Sequence, residues 1–250
     1  MTEPVERVAL VTGSATGIGR ACAVRLARQG FHVVVNYSRS EQDAHETVRL
    51  VEAEQRKALL IPCDVGDDLA VRRMFGTVEA EFGRLDVLVN NAGTTEFIEH
   101  THLDELTEEI WDRILRTNLK GPFFCVRAAV PLLRKAAPAA IVNISSVAGI
   151  SGEGSSIAYA ASKGALNTMT RSLARALAPE IRVNAVCPGP VDTRWLRAVM
   201  TEEELQQRTA GFPLQRPATP DDIADAVLYL ATGTTLTTGQ CLVVDGGRTM

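Results

Sequence analysis

The sequence predicts an α/β fold: a doubly wound, seven-stranded parallel sheet with helices on both faces. Three observations point there. Short runs rich in Val, Ile and Leu alternate with longer amphipathic stretches along the chain, the mark of βαβ units. Val33-Val34-Val35, Leu59-Leu60-Ile61 and Val87-Leu88-Val89 are apolar without alternation, as strands covered on both faces must be. Right-handed crossovers then favour winding the chain outward in both directions from a central strand.

The strand-like runs are residues 7–12, 32–36, 58–63, 85–90, 139–145, 181–187 and 240–244. Helices are expected between them at 17–29, 41–55, 67–82, 107–134, 159–178 and 220–231. The fourth helical stretch is interrupted at Gly121-Pro122, where it divides into two. With no internal repeat and no linker-like composition, residues 1–250 read as a single domain. From Thr193 to Pro220 no strand is expected, and Glu202-Glu203-Glu204 sits among helix formers. A long excursion leaving the C-terminal end of a strand reads as a substrate lid, or else as a surface helix.

Composition excludes several classes. The chain is 46% hydrophobic and 22% charged, which excludes disorder for its bulk. No apolar run approaches the roughly 18 residues of a membrane span. The first residues, Met1 to Arg7, carry neither a basic segment nor an apolar one, so no secretory signal is read there. A net charge of −4 argues against nucleic acid or an anionic membrane surface as partner. Five widely spaced cysteines, Cys22, Cys63, Cys125, Cys187 and Cys241, read as free thiols of a reducing cytoplasm rather than a disulfide framework.

The chemistry begins at Thr12-Gly13-Ser14-Ala15-Thr16-Gly17-Ile18-Gly19, between the first strand and the first helix. Gly13 permits a tight turn, Gly17 lets backbone approach a pyrophosphate, and Gly19 allows close packing. The helix N-terminus offers unpaired N–H groups and a positive dipole. A plain βα turn and a methyltransferase-type nucleotide site remain open at this point. The second strand ends in Asn36-Tyr37-Ser38-Arg39, without the carboxylate that ordinarily bonds the ribose of NAD. Arg39, with Asn36 and Ser38 nearby, suits a 2′-phosphate instead, which favours NADP(H) over NAD(H) while leaving dual use possible.

Further segments complete a pattern: Asp64-Val65, Asn90-Asn91-Ala92-Gly93, Asn118, Ser145-Ser146, Tyr159-Ala160-Ala161-Ser162-Lys163, Pro188-Gly189-Pro190-Val191-Asp192-Thr193 and Asp245-Gly246-Gly247. Together with the glycine turn they resemble the short-chain dehydrogenase/reductase family in its short, Rossmann-type single-domain form, over nearly the whole chain. The resemblance implies a catalytic tetrad of Asn118, Ser146, Tyr159 and Lys163, with Ser146 preferred over Ser145 by its spacing to the tyrosine. It implies that Asp64 and Val65 border the adenine and that Asn91, Ala92 and Gly93 line the cofactor channel. Pro188, Gly189, Val191 and Thr193 would flank the carboxamide end. The residue types make chemical sense: Tyr159 and Lys163 share a helix face, and an ammonium beside a phenol lowers its pKa toward working pH. Ser146 can hold a substrate oxygen, and Asn118 resembles the residue that orders a relay water.

Within the family the chain is most like the 3-oxoacyl-[acyl-carrier-protein] reductases. The expected reaction is NADPH-dependent reduction of a ketone, free or carried on an acyl-carrier protein. The alternatives are a sugar or polyol dehydrogenase and a cofactor-binding regulator without turnover. The resemblance also implies a homotetramer, with 241–244 as a buried edge strand. Arg194 and Arg197 are candidates for an acyl-carrier patch, while Arg171, Arg175 and others read equally as plain solvated charge. Residues 94–109 form a longer insertion than usual near the site's mouth. Its His100, His102, Glu96 and Glu99 lack a third spaced ligand, so no metal is expected. Trp195 is expected either to pack or to wall the substrate pocket.

Overall fold

A computed structural model describes residues 6–250. The stretch Met1–Val5, part of the segment read for a secretory signal, lies outside the described residues. Strands β1 (Arg7–Val11), β2 (Phe31–Tyr37), β3 (Ala58–Pro62), β4 (Val87–Asn90), β5 (Ala139–Ile144), β6 (Ile181–Pro188) and β7 (Cys241–Val244) form one parallel sheet in the order β3-β2-β1-β4-β5-β6-β7. Each falls within two residues of its expected ends. The sequence order reverses direction between β1 and β4, and a crevice opens there beyond the strands' carboxyl ends.

Successive strand residues serve opposite layers. Ala9, Val11, Val33, Val35, Val87 and Val89 pack against helices α1 (Gly17–Arg28) and α2 (Glu41–Ala53). Val8, Leu10, Val34, Leu88 and Ile141 pack against α3 (Asp68–Phe82) and later helices of the opposite face. That double demand is why these strands carry no polar alternation.

The expected break at Gly121-Pro122 takes a different form. Helix α4 (Glu108–Leu115) widens into a π turn over Arg116–Lys120 and runs on as α5 (Gly121–Lys135). Pro122 sits in the first turn of α5, directly after the π turn. Short α6 (Ala148–Ser151) precedes α7 (Ile157–Leu177). A buried polar ladder ties α7 to the sheet: Asn90 Nδ2 donates to Asn143 Oδ1 (2.9 Å), and Asn143 Nδ2 donates to Thr170 Oγ1 (2.9 Å).

Residues 193–220 hold two helices, α8 (Arg194–Arg197) and α9 (Glu202–Thr209), before α10 (Pro220–Leu228). The three glutamates open α9, where Thr201 and Glu204 cap each other's backbone N–H. On edge strand β7 of the single chain, Leu242 is 36% exposed and Val243 38%. Cys241 is half-buried whereas the other four thiols are buried, and all five are free. No helix among the described residues is long and apolar enough to cross a membrane.

Candidate active site

The crevice holds a cavity of about 460 Å³. One end is the glycine turn. Gly13 has φ +60°, and a Cβ there would approach Ala92 Cα to 2.9 Å. Gly19 faces inward to the turn itself: a Cβ would stand 2.4 Å from the Gly13 carbonyl oxygen and 2.5 Å from Asn91 Nδ2. The turn is held from three sides. Asn36 Oδ1 accepts from the Gly13 N–H (3.0 Å), while its Nδ2 donates to the carbonyls of Cys63 (3.1 Å) and Ile61 (3.3 Å). Asn91 Nδ2 donates to the carbonyls of Thr12 and Gly13. The Thr12 hydroxyl accepts from the N–H groups of Asn91 and Ala92.

Some of the expected cofactor residues make bonds within the protein. Ser14 is wholly buried; its N–H donates to the Asn36 carbonyl and its hydroxyl accepts from the Asn36 N–H, so it braces the turn from behind. Gly19 likewise packs behind the cavity wall. Asn36 reaches the wall, but its side chain is engaged within the protein, so it is a positioning residue. Thr12 was not singled out from the sequence, though its place at the end of β1 was a usable signal.

Thr16, Gly17, Ile18, Ser38, Asp64, Val65, Ala92, Gly93, Pro188, Gly189, Val191 and Thr193 all line the cavity, as expected. Thr16 gives no side-chain cap to α1, and the first turn of that helix faces the cavity. Arg39 stands exposed beside Ser38 and pairs with no carboxylate among the described residues. The first turn of α1 facing the cavity, with Arg39 next in the chain to the lining residue Ser38, fits a nicotinamide dinucleotide.

The other end is built on α7. Tyr159 and Lys163, one turn apart, both reach the cavity. Lys163 Nζ donates to the Ile144 carbonyl (2.8 Å) and lies 5.6 Å from the Tyr159 ring centre. Ser146 Oγ accepts from the Ala148 N–H (3.1 Å), which orients it beside Tyr159, whereas Ser145 is buried and donates to the Lys163 carbonyl. Trp195 of α8 meets Tyr159 edge to face, with ring centres 6.0 Å apart, and lines the cavity. Asn118, on the π turn, is wholly buried and does not reach the wall: its amide clamps the Thr94 backbone in both directions and donates to Ser162. Of the expected tetrad, Asn118 is therefore the one that does not line the cavity, and a Cβ on Gly93 would stand 3.6 Å from its Oδ1 and 3.9 Å from Lys163 Nζ.

The electrostatics also differ from expectation. Burial pushes the Tyr159 phenol up to about 12, with the Ser146 hydroxyl working the other way. Burial pulls the Lys163 ammonium down to about 8. Desolvation is the largest cause for both groups. Tyr159 thus keeps its proton at neutral pH.

The 94–109 insertion contributes Phe97 to the wall. Its Ile98 N–H donates to the Ser155 carbonyl (2.8 Å), its Glu96 pairs with Arg113, and His102 lies 3.3 Å from Glu105. The lid adds Leu196, Met200, Leu205 and Arg208, none of which carries a signature in the sequence.

Comparison with known proteins agrees with this geometry. A family model described as enoyl-(acyl carrier protein) reductase matches residues 13–249. The chain is 44% identical over 248 residues to a protein assigned as ketoacyl reductase 2 of the granaticin polyketide synthase of Streptomyces violaceoruber, covering 98% of this chain and 96% of that protein. It is 39% identical over 244 residues to the 3-oxoacyl-[acyl-carrier-protein] reductase FabG of Staphylococcus aureus, covering 97% and 98%. A solved structure from Burkholderia xenovorans, assigned to the short-chain dehydrogenases/reductases, superposes with a TM-score of 0.92 at 39% identity over 98% of each chain. Fold, site and relatives converge, and the chain belongs to the short-chain dehydrogenase/reductase family as an NAD(P)-dependent oxidoreductase.

Proposed function

We propose that the protein reduces a 3-oxoacyl-type ketone to a secondary alcohol, with NADPH as the preferred reductant. The observation that carries this reading is the convergence of two hydroxyls, Ser146 and Tyr159, on one point of a cavity whose opposite end is the glycine turn. A carbonyl oxygen fits that point. When bound, the nicotinamide supplies a hydride to the carbonyl carbon. Ser146 holds the oxygen, and Tyr159 gives its proton to that oxygen as negative charge develops. The phenolate left behind is stabilised by the Lys163 ammonium across the shared helix face. Asn118 acts by holding Thr94 and Ser162, and with them the floor beneath Lys163. Arg39 supports the NADP preference, because it is exposed beside Ser38 with no carboxylate competing for it.

The free thiols suit a reducing cytoplasm. A homotetramer would cover the apolar edge at Leu242 and Val243 and use the helices over α4, α5 and α7; a monomer by light scattering at micromolar concentration would refute that. An acyl carrier would find Arg171 and Arg175 exposed on α7, whereas Arg194 pairs with Asp43, and Arg197 with Asp192 and Glu202.

The test is absorbance of the reduced nicotinamide with a panel of β-ketoesters. Tyr159→Phe should lower kcat by about 10²- to 10⁴-fold with cofactor affinity kept. Arg39→Ala should raise KM for NADPH about tenfold and leave NADH unchanged. Oxidation of sugars or polyols with no ketone reduction would move the assignment to a polyol dehydrogenase.

A further inference from the structure

We infer that the substrate carries an anionic group and that Arg208, on the lid helix α9, receives it. The inference rests on the ketone-reductase reading for the reaction but on separate residues for the anion.

The charges on the cavity wall support it. Two carboxylates reach the wall, and both have cationic partners: Asp64 pairs with Arg116 (3.1 Å), and Glu153 pairs with Arg248. Three arginines reach the wall. Arg194 pairs with Asp43 (2.9 Å), and Arg248 is held by Glu153 and lies over the Phe212 ring. Arg208 reaches the same cavity and has neither ion pair nor hydrogen bond among the described residues. The wall therefore presents one uncompensated guanidinium besides the buried Lys163.

Its placement is on the lid side of the cavity. Leu205, three residues earlier on α9, is buried and lines the same cavity, and Arg208 lines it from the exposed edge of that helix. Trp195, Leu196 and Met200 line the neighbouring wall, and Phe97 approaches from the 94–109 insertion. Arg208 is itself exposed while lining the cavity, and an unpaired guanidinium there binds an oxyanion by charge-assisted, paired hydrogen bonds. The apolar surface accommodates the carbon chain between ketone and anion. The ligand chemistry is a ketone with a carboxylate or a phosphate at its distal end.

The experiment measures binding to the NADP⁺ complex by calorimetry, so no turnover is needed. Two pairs separate the sources of the anion: 4-oxopentanoate against its methyl ester, and acetoacetyl-coenzyme A against the neutral acetoacetyl-N-acetylcysteamine thioester. Wild type should bind the anionic member of at least one pair about tenfold more tightly. Preference in the first pair assigns a carboxylate; preference in the second assigns a phosphate. Arg208→Gln should abolish the preference without weakening NADP⁺, and Arg208→Lys should retain part of it. No preference in wild type, a preference that Arg208→Gln leaves intact, or a loss of NADP⁺ affinity in that variant would each overturn the inference. Parallel turnover with NADPH keeps the two readings distinct: an Arg208-dependent preference with no ketone reduction would preserve the anion site and remove the reductase assignment.

Discussion

Replacing Asn36 probes how the sheet controls the cofactor turn. Its amide joins three backbone groups: it accepts from the Gly13 N–H at 3.0 Å and donates to the Cys63 carbonyl at 3.1 Å and the Ile61 carbonyl at 3.3 Å, in a residue only 1% exposed. Asn36→Ala leaves the Gly13 N–H and the Cys63 carbonyl as the two best-aligned groups without partners. At roughly 1–1.5 kcal/mol for each, the loss is about 2–3 kcal/mol. For a chain of this size that lowers Tm by about 5–10 °C. The same change frees the Gly13 turn, so KM for the cofactor should rise with the stability loss. Asn36→Asp sharpens the test. Its carboxylate would face two carbonyl oxygens in a buried site, so its folded-state pKa must lie above the unfolded one. A group raised in this way is tolerated below its unfolded pKa and destabilises as pH rises. The aspartate variant should therefore be nearest to wild type in acid and worst at neutral pH. Thermal unfolding monitored by circular dichroism between pH 5 and 8, with cofactor KM at each pH, reads both effects. A Tm within 1 °C of wild type in Asn36→Ala, or no pH trend in Asn36→Asp, would refute the argument.

Two further outcomes follow from the site. Burial places Lys163 at about 8 and Tyr159 at about 12, so kcat for reduction should hold through neutral pH and fall as pH rises through about 8, when the lysine loses the charge that stabilises the phenolate; a kcat profile flat to pH 10 would remove that charge from the mechanism. Gly19→Ala should raise cofactor KM at least tenfold, because a Cβ would stand 2.4 Å from the Gly13 carbonyl oxygen, whereas Gly76→Ala in the middle of α3, where nothing lies within 4 Å, should be neutral or stabilising by up to about 1 kcal/mol; equal effects of the two would refute the steric reading.

Much of the architecture was readable in the chain itself. Uninterrupted Val and Leu runs specify strands covered on both faces, and the amphipathic stretches between them specify helices, because both patterns are local. The glycine turn and the Tyr159–Lys163 helical spacing are local in the same sense, and so was the absence of a carboxylate before Arg39. The break near Gly121 was placed a few residues late, since the π turn at Arg116–Lys120 carries no composition of its own.

What tertiary structure decided is which side chains face one another. Asn36 and Ser14 look like ligand contacts in sequence, yet the fold turns them onto the glycine turn and each other. Asn118 belongs to the tetrad by resemblance, but on the π turn it does not line the cavity. Trp195 could pack or wall a pocket, and only the path of the lid brings it against Tyr159. Arg208 had no signature, because an arginine's meaning depends on whether a carboxylate lies within reach. The Tyr159 and Lys163 pKa values depend on burial by strands and helices far apart in the chain. Sequence order determines elements through spacing; tertiary packing determines desolvation and partnership, which no spacing encodes.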